Sequence, residues 1–147
     1  MRILAVDPGE KRIGVAISDP SHTIANPLTI LTHKSRKADA AAILNLASDQ
    51  NAELIIIGQA LNADGIATYQ SKRAERLAGE IRSNTHIDVI LWDESGSTQA
   101  VRDAQISMGV SRRKRRSHVD DIAAAFILQT FLDSSEITGL LKSESES

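Results

Sequence analysis

Cysteine is absent from the 147-residue chain. That excludes disulfides and thiolate metal sites, so any metal must be held by Asp, Glu, Asn or His. Aromatic residues are nearly as scarce, at 3%. The core must therefore be built from Ile, Leu, Val and Ala, and a stacking platform for unpaired bases is disfavoured. No apolar run approaches the roughly eighteen residues of a membrane span, and the N-terminus enters a strand pattern without a signal-peptide profile. These absences lead us to expect a cytoplasmic protein with no membrane partner. There is little excess charge either: the formal net charge is −2. The length suits one domain with a genuine core.

What is present is concentrated at the start. Ile3-Leu4-Ala5-Val6 is a continuous apolar run, the pattern of a strand buried on both faces. Asp7 ends it, and Pro8-Gly9 is a turn signal. A carboxylate closing a buried strand is costly unless it is solvated, paired or bound to a cation. The plainer alternative is an Asp that caps the Pro-Gly turn, and the residues alone leave both open.

Farther along, Ile13 to Asp19 reads as a second strand. Ile24 to Leu31 reads as a third, with Pro27 marking it as an edge. Lys37 to Ala52 has helical spacing rich in alanine. Glu53 to Gly58 reads as a buried strand, followed by a loop over Gln59 to Gly65. Thr68 to Arg82 is an amphipathic helix with Arg73, Glu75, Arg76 and Glu80 available to water. Ile87 to Trp92 is a strand ending in Asp93-Glu94. Thr98 to Met108 reads as helix, stopped by Gly109. Ser117 can cap a last helix whose body, Ile122 to Leu128, is apolar nearly all round and so should be buried on the sheet. We expect a domain over residues 1–134 and a partly disordered Ser/Glu-rich tail over 135–147. A three-strand antiparallel meander followed by parallel βα units predicts an α/β fold with a mixed five-stranded sheet and helices on both faces.

Sites in such sheets lie beyond the carboxyl ends of parallel strands. Asp7, Asn62, Asp64, Asp93 and Glu94 all fall at strand ends. Asp7, Glu94 and Asp120 together could supply oxygen ligands to a hard divalent cation that clamps a phosphodiester. Each has an ordinary alternative: Asp120 and Asp121 suit any helix start, and Asp93-Glu94 suit any loop. If the fourth strand pairs with the first, the fifth lies two spacings away, roughly 9–10 Å. Asn62 and Asp64 would then be nearer to Asp7 than Glu94. The block Arg112-Arg113-Lys114-Arg115-Arg116 could track phosphates or be a solvated loop.

Asp7-Pro8-Gly9-Glu10-Lys11-Arg12-Ile13-Gly14-Val15-Ala16-Ile17-Ser18-Asp19 resembles the N-terminal signature of the YqgF family, the Holliday-junction-resolvase-like proteins also described as pre-16S ribosomal RNA nucleases. Ile57-Gly58-Gln59-Ala60-Leu61-Asn62-Ala63-Asp64-Gly65 is similar to the family's Val-Gly-Leu-Pro-Leu-Asn-Met-Asp-Gly loop, and Val119-Asp120-Asp121-Ile122-Ala123-Ala124-Ala125 to its final helix. Order and spacing match over nearly the whole chain, the tail excepted. The resemblance implies an RNase H-like fold and phosphodiester hydrolysis with Mg²⁺ or Mn²⁺. It implies that Asp7, Glu94 and Asp120 are the catalytic and metal-binding acids. It implies a cytoplasmic role in trimming the 5′ end of 16S ribosomal RNA, with branched DNA as the alternative substrate. Arg12 and the block Arg112 to Arg116 would then meet the nucleic-acid backbone.

Two stretches depart from the family pattern. Asp-Glu-Arg-Leu-Thr is here Asp93-Glu94-Ser95-Gly96-Ser97, and Leu-Pro is here Gln59-Ala60. Both lie near the expected site. They keep open a second reading, a catalytically weakened nucleic-acid or ribosome-assembly binding protein. A third, a nucleotide-phosphate enzyme, needs two lobes where this chain has room for one. A monomer and a homodimer are equally compatible with the sequence.

Overall fold

Ile3, Leu4, Ala5 and Val6 are all fully buried, as a strand covered on both faces must be. They form β1 (Arg2–Pro8), the middle of a five-stranded sheet. The computed structural model describes residues 2–59, 69–93 and 119–134. The other strands are β2 (Arg12–Ser18), β3 (Ala25–Thr32), β4 (Ala52–Gln59) and β5 (Asp88–Asp93). Their order is β3-β2-β1-β4-β5. The first three strands form the antiparallel meander, and β4 and β5 add on in parallel. Pro27 sits on the edge strand β3 opposite Ala16, where the register shifts, so its missing N–H costs the ladder little.

The helices are α1 (Arg36–Asp49), α2 (Tyr69–Arg82) and α3 (Val119–Leu132). Alternation along the strands splits the core in two. Leu4, Val6, Ile55 and Ile57 pack against α1 and α2 through Ile43, Leu77 and Ile81. Ile3, Ala5, Leu54 and Ile56 pack against α3 through Ile127, Leu128 and Phe131. Each of these large aliphatic side chains contributes about 1.5–3 kcal/mol on burial.

α1 is shorter than its alanine-rich spacing predicts. It ends at Asp49, Asn51 takes φ 56°, and Ala52 already belongs to β4. Alanine's helix preference yields here to strand pairing, since Ala52 is opposite Arg2. Gln59, expected in a loop, closes β4 beside Asp93. The helix expected over residues 98–108, the rest of the loop over 60–65 and the tail lie outside the described residues.

Candidate active site

Asp7 is half-buried, one residue from the end of β1. Since Ile3 and Ala5 face α3, alternation turns Asp7 to that same face. The pairing around it is uneven. β1 and β4 pair only as far as Val6 and Ile57. Beyond that rung, β1 stays with β2 to the pair Pro8–Ile13, and β4 stays with β5 to the pair Gln59–Asp93. The sheet therefore forks at the level of Asp7, between two parallel strands. Open α/β sheets admit ligands at such partings of the strand ends.

The turn after Asp7 is tight. Gly9 N donates to Arg12 O at 3.0 Å. A Cβ on Gly9 would lie 2.4 Å from Arg12 O, a backbone atom that cannot swing away, so glycine is required. His33 N donates to Lys11 O at 2.9 Å, tying the turn to the end of β3.

α3 covers the forked face. A Cβ on Gly58 would lie 2.5 Å from Ile127 Cδ1, so glycine there lets α3 approach β4. Trp92 Nε1 donates to Thr130 Oγ1 at 3.0 Å, and the Trp92 ring meets Phe131 edge-on, with centroids 5.2 Å apart. On the other side, Gln129 Oε1 accepts from Ala25 N at 3.0 Å and its Nε2 donates to Thr23 O at 3.1 Å. Ala25 pairs with Ser18, whose Oγ accepts from Ile3 N at 2.8 Å. The C-terminal half of α3 is thus fastened across the sheet, to β3 through Gln129 and to β5 through Thr130.

The expected site residues are placed as follows. Asp7 stands at the fork. Asp120 is in the first turn of α3. Arg12 is exposed and opens β2, beside the turn. β4 does separate β1 from β5, as the two-spacing expectation for Glu94 required. Glu94 itself, Asn62, Asp64 and the block Arg112, Arg113, Lys114, Arg115 and Arg116 lie outside the described residues. Among the described residues, no group of three His, Asp or Glu side chains gathers as a metal site.

The opposite face holds a polar cluster that sequence reasoning missed. Asp39, buried in the first turn of α1, bonds His33 Nδ1 and accepts from Lys34 N at 3.0 Å. Arg73, expected on the watery face of α2, is half-buried beside it and lines a cavity shared with Arg36 and Arg76. The available signal was the spacing of Arg73 and Arg76, which puts them on one side of α2.

Residues 1–134 match the family model described as "RuvX: Holliday junction resolvase". A protein from Syntrophus aciditrophicus named "Putative pre-16S rRNA nuclease" is 41% identical over 133 residues, covering 90% of this chain and 89% of that protein. Among solved structures, RuvC from Thermus thermophilus is similar at a TM-score of 0.55 and 15% identity, covering 95% of this chain and 97% of that one. The fowlpox virus Holliday junction resolvase is similar at a TM-score of 0.54 and 22% identity, covering 90% and 99%. The likeness to these two identifies the forked sheet and its helices as an RNase H-like fold.

Proposed function

Because the chain belongs to the RuvX family, we propose that it is a metal-dependent nuclease that hydrolyses phosphodiester bonds in structured RNA, trimming the 5′ end of pre-16S ribosomal RNA. The observation that carries this reading is Asp7, a half-buried carboxylate at the fork between two parallel strands. The relatives' name supplies the substrate.

The donor chemistry fits a hard cation. Asp7 offers carboxylate oxygens where the ladder opens, and the chain has no thiolate to compete. Asp7, Glu94 and Asp120 would hold Mg²⁺ or Mn²⁺. Such an ion, when bound, supplies charge neutralisation at the phosphate and an acidified water. The chain's own contribution is positional. Gly9 keeps the turn narrow enough for β1 to present Asp7 at the rim. The anchors at Gln129 and Thr130 hold α3 on the face of the sheet that Asp7 shares, and Asp120 belongs to that helix's first turn. Glu94 comes two residues after Trp92, which shares the face of α3.

The block Arg112 to Arg116, together with Arg12, would meet the strand's phosphates. No helix among the described residues is long and apolar enough to cross a membrane, and a cytoplasmic monomer or homodimer acting on nucleic acid agrees with the reading.

The test is cleavage of a precursor ribosomal RNA and of a four-way DNA junction with Mg²⁺ or Mn²⁺. Asp7→Asn is expected to lose more than about 100-fold in rate, since changes one shell farther from a metal already cost 10–100-fold. Wild-type cleavage by Asp7→Asn would overturn the mechanism. Preference for the junction would move the substrate to branched DNA, in line with the family model's description.

A further inference from the structure

On the face away from α3, a cavity of about 280 Å³ opens beside the β1–β2 turn. Its wall runs from Gly9 across the start of α1 to α2, and three guanidinium groups line it: Arg36 from α1, Arg73 and Arg76 from α2. One carboxylate, Asp39, opposes them, and its oxygens are engaged by His33 Nδ1 and Lys34 N. Neither Arg36 nor Arg76 forms an ion pair among the described residues. The lining therefore carries excess positive charge drawn from two helices.

Such a gathering of like charge is unfavourable until an anion enters it. Guanidinium groups are planar forks suited to phosphate oxygens, with two parallel hydrogen bonds possible per group. The start of α1, capped by Ser35 Oγ accepting from Ala38 N at 3.1 Å, adds the positive end of a helix. No Phe, Tyr or Trp lines the cavity, and the His33 ring is tied to Asp39, so a base finds little there to stack on. The apolar floor at Leu77 suits sugar carbons instead.

The location links this cavity to the site. Gly9 is two residues past Asp7, at most about 7 Å along the chain. The cavity and Asp7 occupy opposite faces of one rim, joined by a turn that Arg12 O holds shut. We infer that the cavity is a phosphate subsite: it grips one phosphate of the nucleic-acid strand as the strand crosses the rim, while the bond to be cut lies at Asp7. The inference rests on the nuclease reading for its substrate, and on the arginine-lined cavity for its location.

The experiment uses the full chain carrying Asp7→Asn, without metal, so that binding is read apart from cleavage. The probes are 3′-fluorescein RNA with a 5′-phosphate, the same RNA with a 5′-hydroxyl, and inorganic phosphate. Adding Arg36→Gln and Arg76→Gln is expected to weaken RNA binding at least tenfold. It should also lower the log–log salt slope by about 0.7–0.9, the share of one neutralised phosphate. Lys72→Gln, an exposed lysine on α2 outside the cavity, should leave the slope unchanged.

If the loss is confined to the 5′-phosphorylated RNA, the subsite holds a terminal phosphate; an equal loss for both assigns it to the backbone. Inorganic phosphate should raise Tm above chloride of equal ionic strength in the parent and not in the double variant. Should the double variant misfold by circular dichroism, Arg76→Gln alone carries the comparison. An unchanged slope and an unchanged phosphate effect, with cleavage still dependent on Asp7, would overturn the subsite and leave the nuclease reading standing. Cleavage independent of Asp7 would overturn the nuclease reading, while the phosphate effect on Tm would still report on the cavity.

Discussion

Asp19 shows what an acid does when it serves the fold, and so gives a contrast for Asp7. Its Oδ1 accepts from Thr23 N at 2.7 Å and Ile24 N at 3.0 Å, and Ser21 Oγ donates to Oδ2. The Ile24 N–H, followed by the Ser21 hydroxyl, holds its pKa down to about 2. A depressed carboxylate contributes stability above its unfolded pKa, near 3.8, and loses it as pH falls toward 2. Asp19→Asn should therefore lower Tm at pH 5–7, with the gap closing between about pH 4 and pH 2 in a Tm series. A gap that persists at pH 2 would refute the charge as its source. Gly58 supports a second prediction. Gly58→Ala should cost about 1–3 kcal/mol by overpacking, and adding Ile127→Val, which removes the clashing Cδ1, should recover most of it in urea unfolding. Asp7 was legible in sequence because it breaks an apolar run. The need for glycine at Gly58 was not, because the atom that imposes it sits on α3, far along the chain.

Among the elements, α3 was half legible. Its apolar body announced burial on the sheet. Its fastenings were hidden, since Gln129 and Thr130 read as ordinary polar residues until β3 and β5 are folded beside them. Thr130→Val removes the acceptor of Trp92 Nε1 at nearly constant shape. The expected cost is about 0.5–1.5 kcal/mol, with a shift in the emission of Trp92, the single tryptophan. An unchanged spectrum would mean that the indole N–H finds another partner. α1 was misjudged only at its end, where local preference for helix met the competing demand of a strand. Arg76 of α2 is exposed as expected, whereas Arg73 was misjudged, because amphipathicity tells inside from outside and the wall of a cavity between two helices is neither.

At the scale of the molecule, β1 and β4 are sandwiched between two separate cores, whereas β3 borders solvent with half its residues exposed. Amides of β1 and β4 should exchange with deuterium only through global opening, and those of β3 several orders of magnitude faster through local opening. Equal rates across the sheet, read by mass spectrometry, would contradict this division. The meander and the parallel units after it followed from the sequence, because short turns dictate antiparallel neighbours and longer helical crossovers parallel ones, while the pairing of β4 with β1 stood there only as a condition. How the rungs end did not follow, because the residues that would continue a ladder look the same whether or not they do.

That ending has a mechanical side. Below Val6 and Ile57 the central strands brace one another; above, each hangs on as a cantilever supported from one flank only. A load applied at the overhang bends the β1–β2 hairpin against the meander and leaves the β4–β5 pair unmoved. Among the described strands, no backbone rung beyond Val6 and Ile57 therefore carries such a load from β1 to β4.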